Sequence, residues 1–104
     1  MTGGSITAEK EIVIGDRVSI GANTIIVDSD FHPLDLQLRL DNPNVGDKKS
    51  VIIENDVFIG MSVLILKGSH IGAGSIIGAG SVVTGYIPPG VVAAGNPARI
   101  IHKL

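Results

Sequence analysis

A six-residue period in the apolar residues constrains the fold more than any other feature of this sequence. The apolar leaders of the repeats are Ile14, Ile20, Ile26, Ile53, Ile59, Ile65, Ile71, Ile77 and Val83, with Ala8 as a further candidate at the start. A helix needs a period of about 3.6, and a meander needs turn signals about every 8–12 residues. Neither structure accounts for a strict period of six residues. Short strands that alternate with corners, stacked as a solenoid, do account for it.

Two other positions of the repeat support this interpretation. The residue after the leader is often glycine, at Gly15, Gly21, Gly60, Gly72 and Gly78. Glycine there predicts a backbone conformation that other residues resist. The residue four places after the leader is compact or β-branched, at Val18, Thr24, Val57, Val63, Ser69, Ser75 and Ser81. Chance clustering of isoleucine and glycine in a β-sandwich would not keep six consecutive repeats in phase.

The repeats resemble the [LIV]-[GAED]-x-x-[STAV]-x pattern of the bacterial hexapeptide-repeat acyltransferase family. That resemblance implies an all-β fold, a single-stranded left-handed parallel β-helix in which three repeats make one triangular coil. We expect one domain over residues 1–104, with coils at about 8–31 and 53–88, an extruded loop at 33–50 and a C-terminal cap at 89–104. The pair Pro88-Pro89 is expected to end the coils, because proline cannot donate to a strand ladder.

The loop carries an unusual apolar pattern. Its segment from Leu34 to Leu40 has a leucine at every second position. Four exposed leucines would be unfavourable unless they packed on another surface. We therefore expect an arm that lies along its own prism or along that of a neighbour.

Charge and composition exclude several function classes. The net charge is −2 without a basic stripe, so nucleic acid is not an expected partner. The absence of cysteine excludes disulfides and thiolate chemistry. No apolar run approaches the ~20 residues of a membrane-spanning helix, so membrane insertion is not expected. The residues from Met1 to Ser5 lack signal-peptide features, and we therefore expect a cytoplasmic location. The mean hydropathy of +0.42 predicts apolar surface for a partner chain.

Four stretches narrow the resemblance to the sugar and xenobiotic O-acetyltransferase branch, which includes maltose, galactoside and capsular polysaccharide acetyltransferases. They are Asp28-Ser29-Asp30-Phe31-His32-Pro33-Leu34-Asp35, Asn55 to Gly60, Ile77 to Thr84, and Ala94 to Arg99. The resemblance implies transfer of an acetyl group from acetyl-CoA to a hydroxyl of a sugar or polysaccharide precursor.

His32 is the candidate general base of that transfer. A hydroxyl must lose its proton as it attacks a thioester, and an ordinary imidazole has a pKa near 6.5, which suits this task. We expect a carboxylate or a carbonyl to hold the other ring nitrogen. Asp28, Asp30 and Asp35 are all near in sequence, and the sequence does not choose among them. The alternative is a solvated loop histidine.

The resemblance also implies a homotrimer with a coenzyme A groove between adjacent prisms. Met61 follows the Phe58-Ile59-Gly60 segment where relatives often have serine, so its main-chain N–H is a candidate oxyanion donor. In the groove that the resemblance implies, Phe58 is an aromatic wall. The pantetheine arm is expected to contact backbone amides around Ala79 and the hydroxyl of Thr84. The phosphates are expected to meet three cations, Arg99, His102 and Lys103. His102 and Lys103 fit an ordinary charged terminus equally well.

Gly85-Tyr86 replaces a lysine and an aspartate that relatives commonly have, and this departure is expected to weaken coenzyme binding. Relatives also carry further coils before the first run. The short prism without those coils favours a second hypothesis, a truncated and noncatalytic β-helix assembly module. A zinc site of the γ-carbonic anhydrase type is not expected, since His32, His70 and His102 include no close pair. No metal is expected. Gly78-Ala79-Gly80 lacks the spacing of a phosphate loop.

Overall fold

The computed structural model describes residues 2–104, so Met1, the first residue of the segment assessed for a signal peptide, lies outside the described residues. The described part contains very short β-strands and one short helix. The elements are β1 Ser5–Thr7, β2 Ile12–Ile14, β3 Ser19–Ile20, β4 Ile25–Val27, α1 Leu36–Asp41, β5 Val51–Ile53, β6 Phe58–Ile59, β7 Leu64–Ile65, β8 His70–Ile71, β9 Ile76–Ile77, β10 Val82–Val83, β11 Tyr86–Ile87, β12 Val91–Gly95 and β13 Ala98–Lys103.

The strands stack into three sheets, because every third strand returns to the same face. The first face has the order β1-β4-β7-β10, the second β2-β5-β8-β11, and the third β3-β6-β9-β12, and all of these pairings are parallel. β13 adds to the end of the third face, antiparallel to β12. The chain is therefore a parallel β-helix, as the period predicts.

The core is the column of repeat leaders inside the prism. The leaders from Ile26 to Val83 are completely buried, whereas Ile14 and Ile20 in the first coil are partly buried. Burial of an isoleucine side chain contributes roughly 1.5–3 kcal/mol, so this column dominates the stability of the coils. The compact residues four places after the leaders are buried too, except Val18, which is partly buried. Their hydroxyl groups donate to corner carbonyls, as Thr24 Oγ1 does to the Gly60 oxygen at 2.9 Å.

The first leader is Ile6, so the prediction of Ala8 is wrong. Ile6 pairs in register with Ile26, and Ala8 is exposed in the connection that follows β1. The leaders Ile6 and Ile14 are eight residues apart instead of six, and this longer spacing shifts the sixfold phase between them. The coils consequently begin at β1, before residue 8.

The glycines after the leaders are required for a different reason than the one predicted. They do not have positive φ angles. A Cβ added at Gly60 would lie 2.8 Å from the Ala79 nitrogen of the next coil, so close approach of the two backbones excludes a side chain. The left-handed conformation falls two residues later. Gly80 has φ +73° there, and non-glycine residues take the same role at Arg17, Asn23, Asp56 and Ser62.

The proline pair does not end the coils, contrary to the prediction. Pro88 and Pro89 occupy the corner between the second and third faces, where no ladder N–H is needed. After them β12 continues the third face, parallel to β9. Only β13 lies outside the triangular coils, so the cap is shorter than residues 89–104.

The inserted loop, residues 28–50, joins β4 to β5. It contains α1, whose N-cap is Asp35. The four leucines of this segment are 54–78% exposed, so the arm does not pack along its own prism, which was one of the two predicted alternatives. Packing along the prism of a neighbour stays a prediction. Alternating leucines suggested an extended arm, but the capped helical turn places them in solvent.

Candidate active site

The inserted loop presents His32 at the corner between the first and second faces, which we call the His32 corner. β4 ends at Val27, and the chain leaves the prism there. Phe31 has φ +64°, and its N–H donates to Ser29 Oγ at 2.9 Å. A bulky residue in the left-handed region is rare and marks a sharply defined turn. This turn leaves the His32 side chain exposed.

The ring of His32 is held through one nitrogen. Its Nδ1 lies 2.5 Å from the Pro43 carbonyl oxygen, on the returning side of the loop. A carbonyl can only accept a hydrogen bond, so Nδ1 must carry the proton. In the neutral ring the lone pair then lies on Nε2. Nε2 has no hydrogen-bond partner within residues 2–104, so it is available to remove a proton.

Asp28 does not orient His32, because its carboxylate is used elsewhere. It is completely buried and accepts backbone N–H bonds from Glu9 at 2.8 Å, Lys10 at 2.7 Å and Glu11 at 2.6 Å. Burial raises the pKa of Asp28, but these N–H donors stabilise the carboxylate and the net pKa is lowered. Asp28 therefore fixes the connection between β1 and β2 to the start of the inserted loop.

The other two aspartates are also occupied. Asp35 caps α1 by accepting the Leu38 N–H at 3.0 Å. Asp30 lies 3.2 Å from the ammonium of Lys67. The question that the sequence left open is resolved in favour of a carbonyl, that of Pro43.

A groove of about 420 Å³ lies at the corner between the third and first faces, which we call the groove corner. Three of the predicted site residues line it together, namely Phe58, Met61 and Ala79. Phe58 is 51% exposed and stands beside Ile76 of the next coil, with which it pairs in register. The walls are almost entirely apolar side chains and glycine backbone, which suits an extended chain of modest polarity.

Three backbone donors of the groove are free. The N–H groups of Ala22, Met61 and Ala79 make no hydrogen bond within the described residues, whereas Gly60 and Gly80 donate to the neighbouring coil at 2.8 and 3.0 Å. Free main-chain N–H groups in an apolar groove can donate hydrogen bonds to the oxygen of a carbonyl or an amide. The main-chain donor of Met61 does not depend on which side chain stands at this position.

The remaining predicted residues lie outside the groove. Thr84 is exposed between β10 and β11, on the same corner of the prism as His32. β13 carries the exposed Arg99, His102 and Lys103. His102 pairs with Val92. Val92 pairs with Ile76, so the third face leads from the groove towards His102 over two strand spacings, roughly 10 Å.

Two parts of the site were not predicted from the sequence. The Pro43 carbonyl has no sequence signal, because every residue carries one. Lys67 does have a signal, since it is the only Lys, Arg, Asp or Glu between Asp56 and Arg99. A lone charge in an otherwise uncharged stretch of the repeats indicates a specific partner.

Neither a metal centre nor a membrane span is present in the part of the chain that the structure describes. Within residues 2–104, no three His, Asp or Glu side chains come together as a metal site would require. None of the helices described there is long and apolar enough to cross a membrane.

Residues 50–85 match the family described as bacterial transferase hexapeptide (six repeats). The galactoside O-acetyltransferase of Escherichia coli (strain K12) is 41% identical over 102 residues, which cover 96% of this chain and 48% of the relative. The chain spans about half the length of the curated relatives it matches.

Solved structures agree with the fold. A hexapeptide-repeat-containing acetyltransferase of Vibrio cholerae O1 biovar eltor, complexed with acetyl coenzyme A, has a TM-score of 0.85 and 38% identity over 95% of this chain and 54% of that one. Another hexapeptide-repeat-containing acetyltransferase structure from Vibrio cholerae has a TM-score of 0.76 and 32% identity over 95% of this chain and 67% of that one. The predicted left-handed β-helix is thereby confirmed.

Proposed function

We propose that this chain, which belongs to the bacterial hexapeptide-repeat transferase family, transfers an acetyl group from acetyl-CoA to a hydroxyl of a sugar or polysaccharide precursor. The observation that carries the proposal is the state of His32. Its Nδ1 is tied to the Pro43 carbonyl and its Nε2 is free, which is the arrangement of a general base.

The proposed reaction uses few groups of the protein. The acceptor hydroxyl oxygen attacks the thioester carbonyl carbon while Nε2 of His32 takes the hydroxyl proton. The resulting oxyanion accepts a hydrogen bond from the main-chain N–H of Met61, an interaction of the kind that contributes about 2.7–4 kcal/mol. Collapse of the intermediate breaks the carbon–sulfur bond. The departing thiolate takes the proton from His32, which restores the neutral ring.

The groove supports binding of acetyl-CoA as the co-substrate. Its apolar walls at Phe58 and the free N–H of Ala79 suit the pantetheine arm, which has alternating apolar and amide segments. The phosphates would lie towards β13, where Arg99 supplies a guanidinium and His102 and Lys103 add positive charge. We assign Thr84 to the part of the site formed by the His32 corner.

We propose that the complete site forms between chains of a homotrimer. In one chain the His32 corner and the groove corner are different edges of the prism, so the base and the groove do not meet. A rotationally symmetric assembly can place the His32 corner of one prism against the groove corner of its neighbour. The apolar residues Ile25 and Leu64 on the first face, each 38% exposed, are suited to such a contact.

The test of the function is substitution of His32 by alanine. We expect His32→Ala to lower turnover by roughly 10²–10⁴-fold, the usual contribution of a positioned base, with little change in coenzyme A affinity. The measurement is thiol release from acetyl-CoA with a panel of sugars, and calorimetry with coenzyme A. His70→Ala is the matched control, because His70 lies on the second face with Glu54 as its partner.

Equal turnover in wild type and His32→Ala would show that His32 is not the general base but a loop residue without a role in the reaction. No detectable coenzyme A binding by the wild type would favour the noncatalytic assembly module instead. The intersubunit site has its own readout. His32→Ala chains mixed with groove-blocked Ala79→Trp chains should regain part of the activity after reassembly, and a site contained in one chain would give no regain.

A further inference from the structure

The inserted loop closes on itself at a narrow neck. Its two ends run side by side where they leave and rejoin the prism. The Asp30 N–H donates to the Asp47 oxygen at 3.0 Å, and the Lys49 N–H donates to the Asp28 oxygen at 3.0 Å. Ser29 and Lys48 form an antiparallel bridge between these bonds. His32 lies just beyond the neck, on the side of the loop that leaves the prism.

One side chain from the prism holds both sides of this neck. Lys67 lies at the corner between β7 and β8, and its Nζ is 2.7 Å from Asp47 Oδ2 and 3.2 Å from Asp30 Oδ2. The Lys67 side chain is only 22% exposed. The hydrogen bond from Lys67 lowers the pKa of Asp47, and Asp47 in turn raises the pKa of Lys67. The ion pairs therefore connect the loop to the next coil.

Asp47 is linked to His32 through the adjacent residue, Gly46. The neighbouring Gly46 is buried against the outgoing backbone, and a Cβ added there would lie 2.5 Å from the Phe31 nitrogen and 2.7 Å from the His32 nitrogen. A few residues earlier on the same returning segment is Pro43, whose carbonyl holds the imidazole. The segment that ends at Asp47 thus supports both the backbone and the ring of His32.

We propose that Lys67 is a positioning residue for the transfer reaction, acting through Asp47 and Asp30 to hold His32 in its working geometry. This inference rests on the proposed function, in which His32 is the general base. The Lys67 ammonium contacts Asp47 and Asp30, whereas Nδ1 of the His32 ring bonds to the Pro43 carbonyl. The effect of Lys67 is on geometry, and a misplacement of about 1 Å can lower a rate about 10²-fold.

Lys67→Met tests the proposal, since methionine keeps most of the chain length and removes the charge. We expect kcat to fall about 10- to 100-fold while KM for acetyl-CoA stays within about twofold, because the groove corner is untouched. Lys67→Arg should restore most of kcat by renewing both ion pairs. Lys10→Met is the matched control, since the Lys10 side chain makes no ion pair among residues 2–104. Unchanged kcat in Lys67→Met, or no rescue by arginine, would overturn the proposal.

A measurement without turnover separates this inference from the proposed function. In protein with isotope-labelled histidine, the Nδ1 proton of His32 should give a protected NMR signal, identified by its absence in His32→Ala. We expect the signal to persist in Lys67→Arg and to be lost or to exchange faster in Lys67→Met and in Asp47→Asn. An unchanged signal in both variants would refute the positioning role even if turnover fell. If wild type has no transferase activity, the proposed function fails and this signal still decides the role of Lys67.

Discussion

The coils and the inserted loop of this protein are held together by different interactions. In the coils, each buried leader stacks on the leader three repeats later, as Ile59 does on Ile77. The same apolar contact is therefore made again in every coil. In the loop, all residues from 34 to 45 are exposed, and the contacts that fix it are a few individual hydrogen bonds and ion pairs.

This difference separates stability from chemistry. Apolar burial along the prism supplies a rigid support whose energy does not depend on any one polar contact. The loop adds little buried area, so its conformation can be changed without unfolding the coils. His32 is on the loop and the groove is on the coils. The proposed site therefore combines a base held by a few individual contacts with a groove formed by repeating backbone.

The largest expected effect is on the coils. Ile65→Ala should lower the free energy of unfolding by about 2–5 kcal/mol, because the side chain is completely buried and the rigid coils cannot collapse around the cavity. The matched loop variant is Leu36→Ala, whose side chain is 61% exposed and should cost less than about 0.5 kcal/mol. Urea unfolding at one fixed protein concentration measures both. Similar losses for the two variants would contradict the comparison.

The coils were largely predictable from the sequence because their period is a property of residue order. The inward-facing leaders and the compact residues four places on are confirmed as buried from Thr24 to Val83. The wrong predictions for the coils occur where the six-residue period is interrupted. The leaders Ile6 and Ile14 are eight residues apart instead of six, so Ile6 rather than Ala8 takes the first leader position. A corner accommodates Pro88 without ending the coils.

The loop was poorly predictable because its contacts depend on tertiary position. α1 is only six residues long, and its leucines follow an alternation that also fits a strand. The partner of the His32 ring is a main-chain carbonyl, and no residue type marks that role. Lys67 and Asp47 are 20 positions apart in sequence, and only the stacking of coils brings them together.

The next largest effect is expected at the junction between the two regions, at Asp28. Asp28→Ala should lower the free energy of unfolding by about 2–3 kcal/mol, because it removes the acceptor of the Glu9, Lys10 and Glu11 N–H groups. Asp35→Ala is the control within the loop and should cost about 1 kcal/mol as a lost helix cap. Urea unfolding distinguishes the two. A smaller loss for Asp28→Ala than for Asp35→Ala would mean that the junction does not contribute to the stability of the prism.

The smallest effect is the pH dependence of the ion pair between the loop and the coils. Because Lys67 lowers the pKa of Asp47 below its ordinary 3.8, the carboxylate stabilises the fold above that value. This contribution is lost as pH falls through the lowered pKa. The raised pKa of Lys67 keeps the pair charged through the neutral range, and its contribution is lost only as pH rises through that raised value. The difference in urea midpoint between wild type and Asp47→Asn should therefore be constant near neutral pH and shrink in acid. The difference between wild type and Ile65→Ala should not change over the same range, because no titrating group is removed. An acid-independent Asp47 difference would show that the loop, like the coils, is held by contacts other than charge.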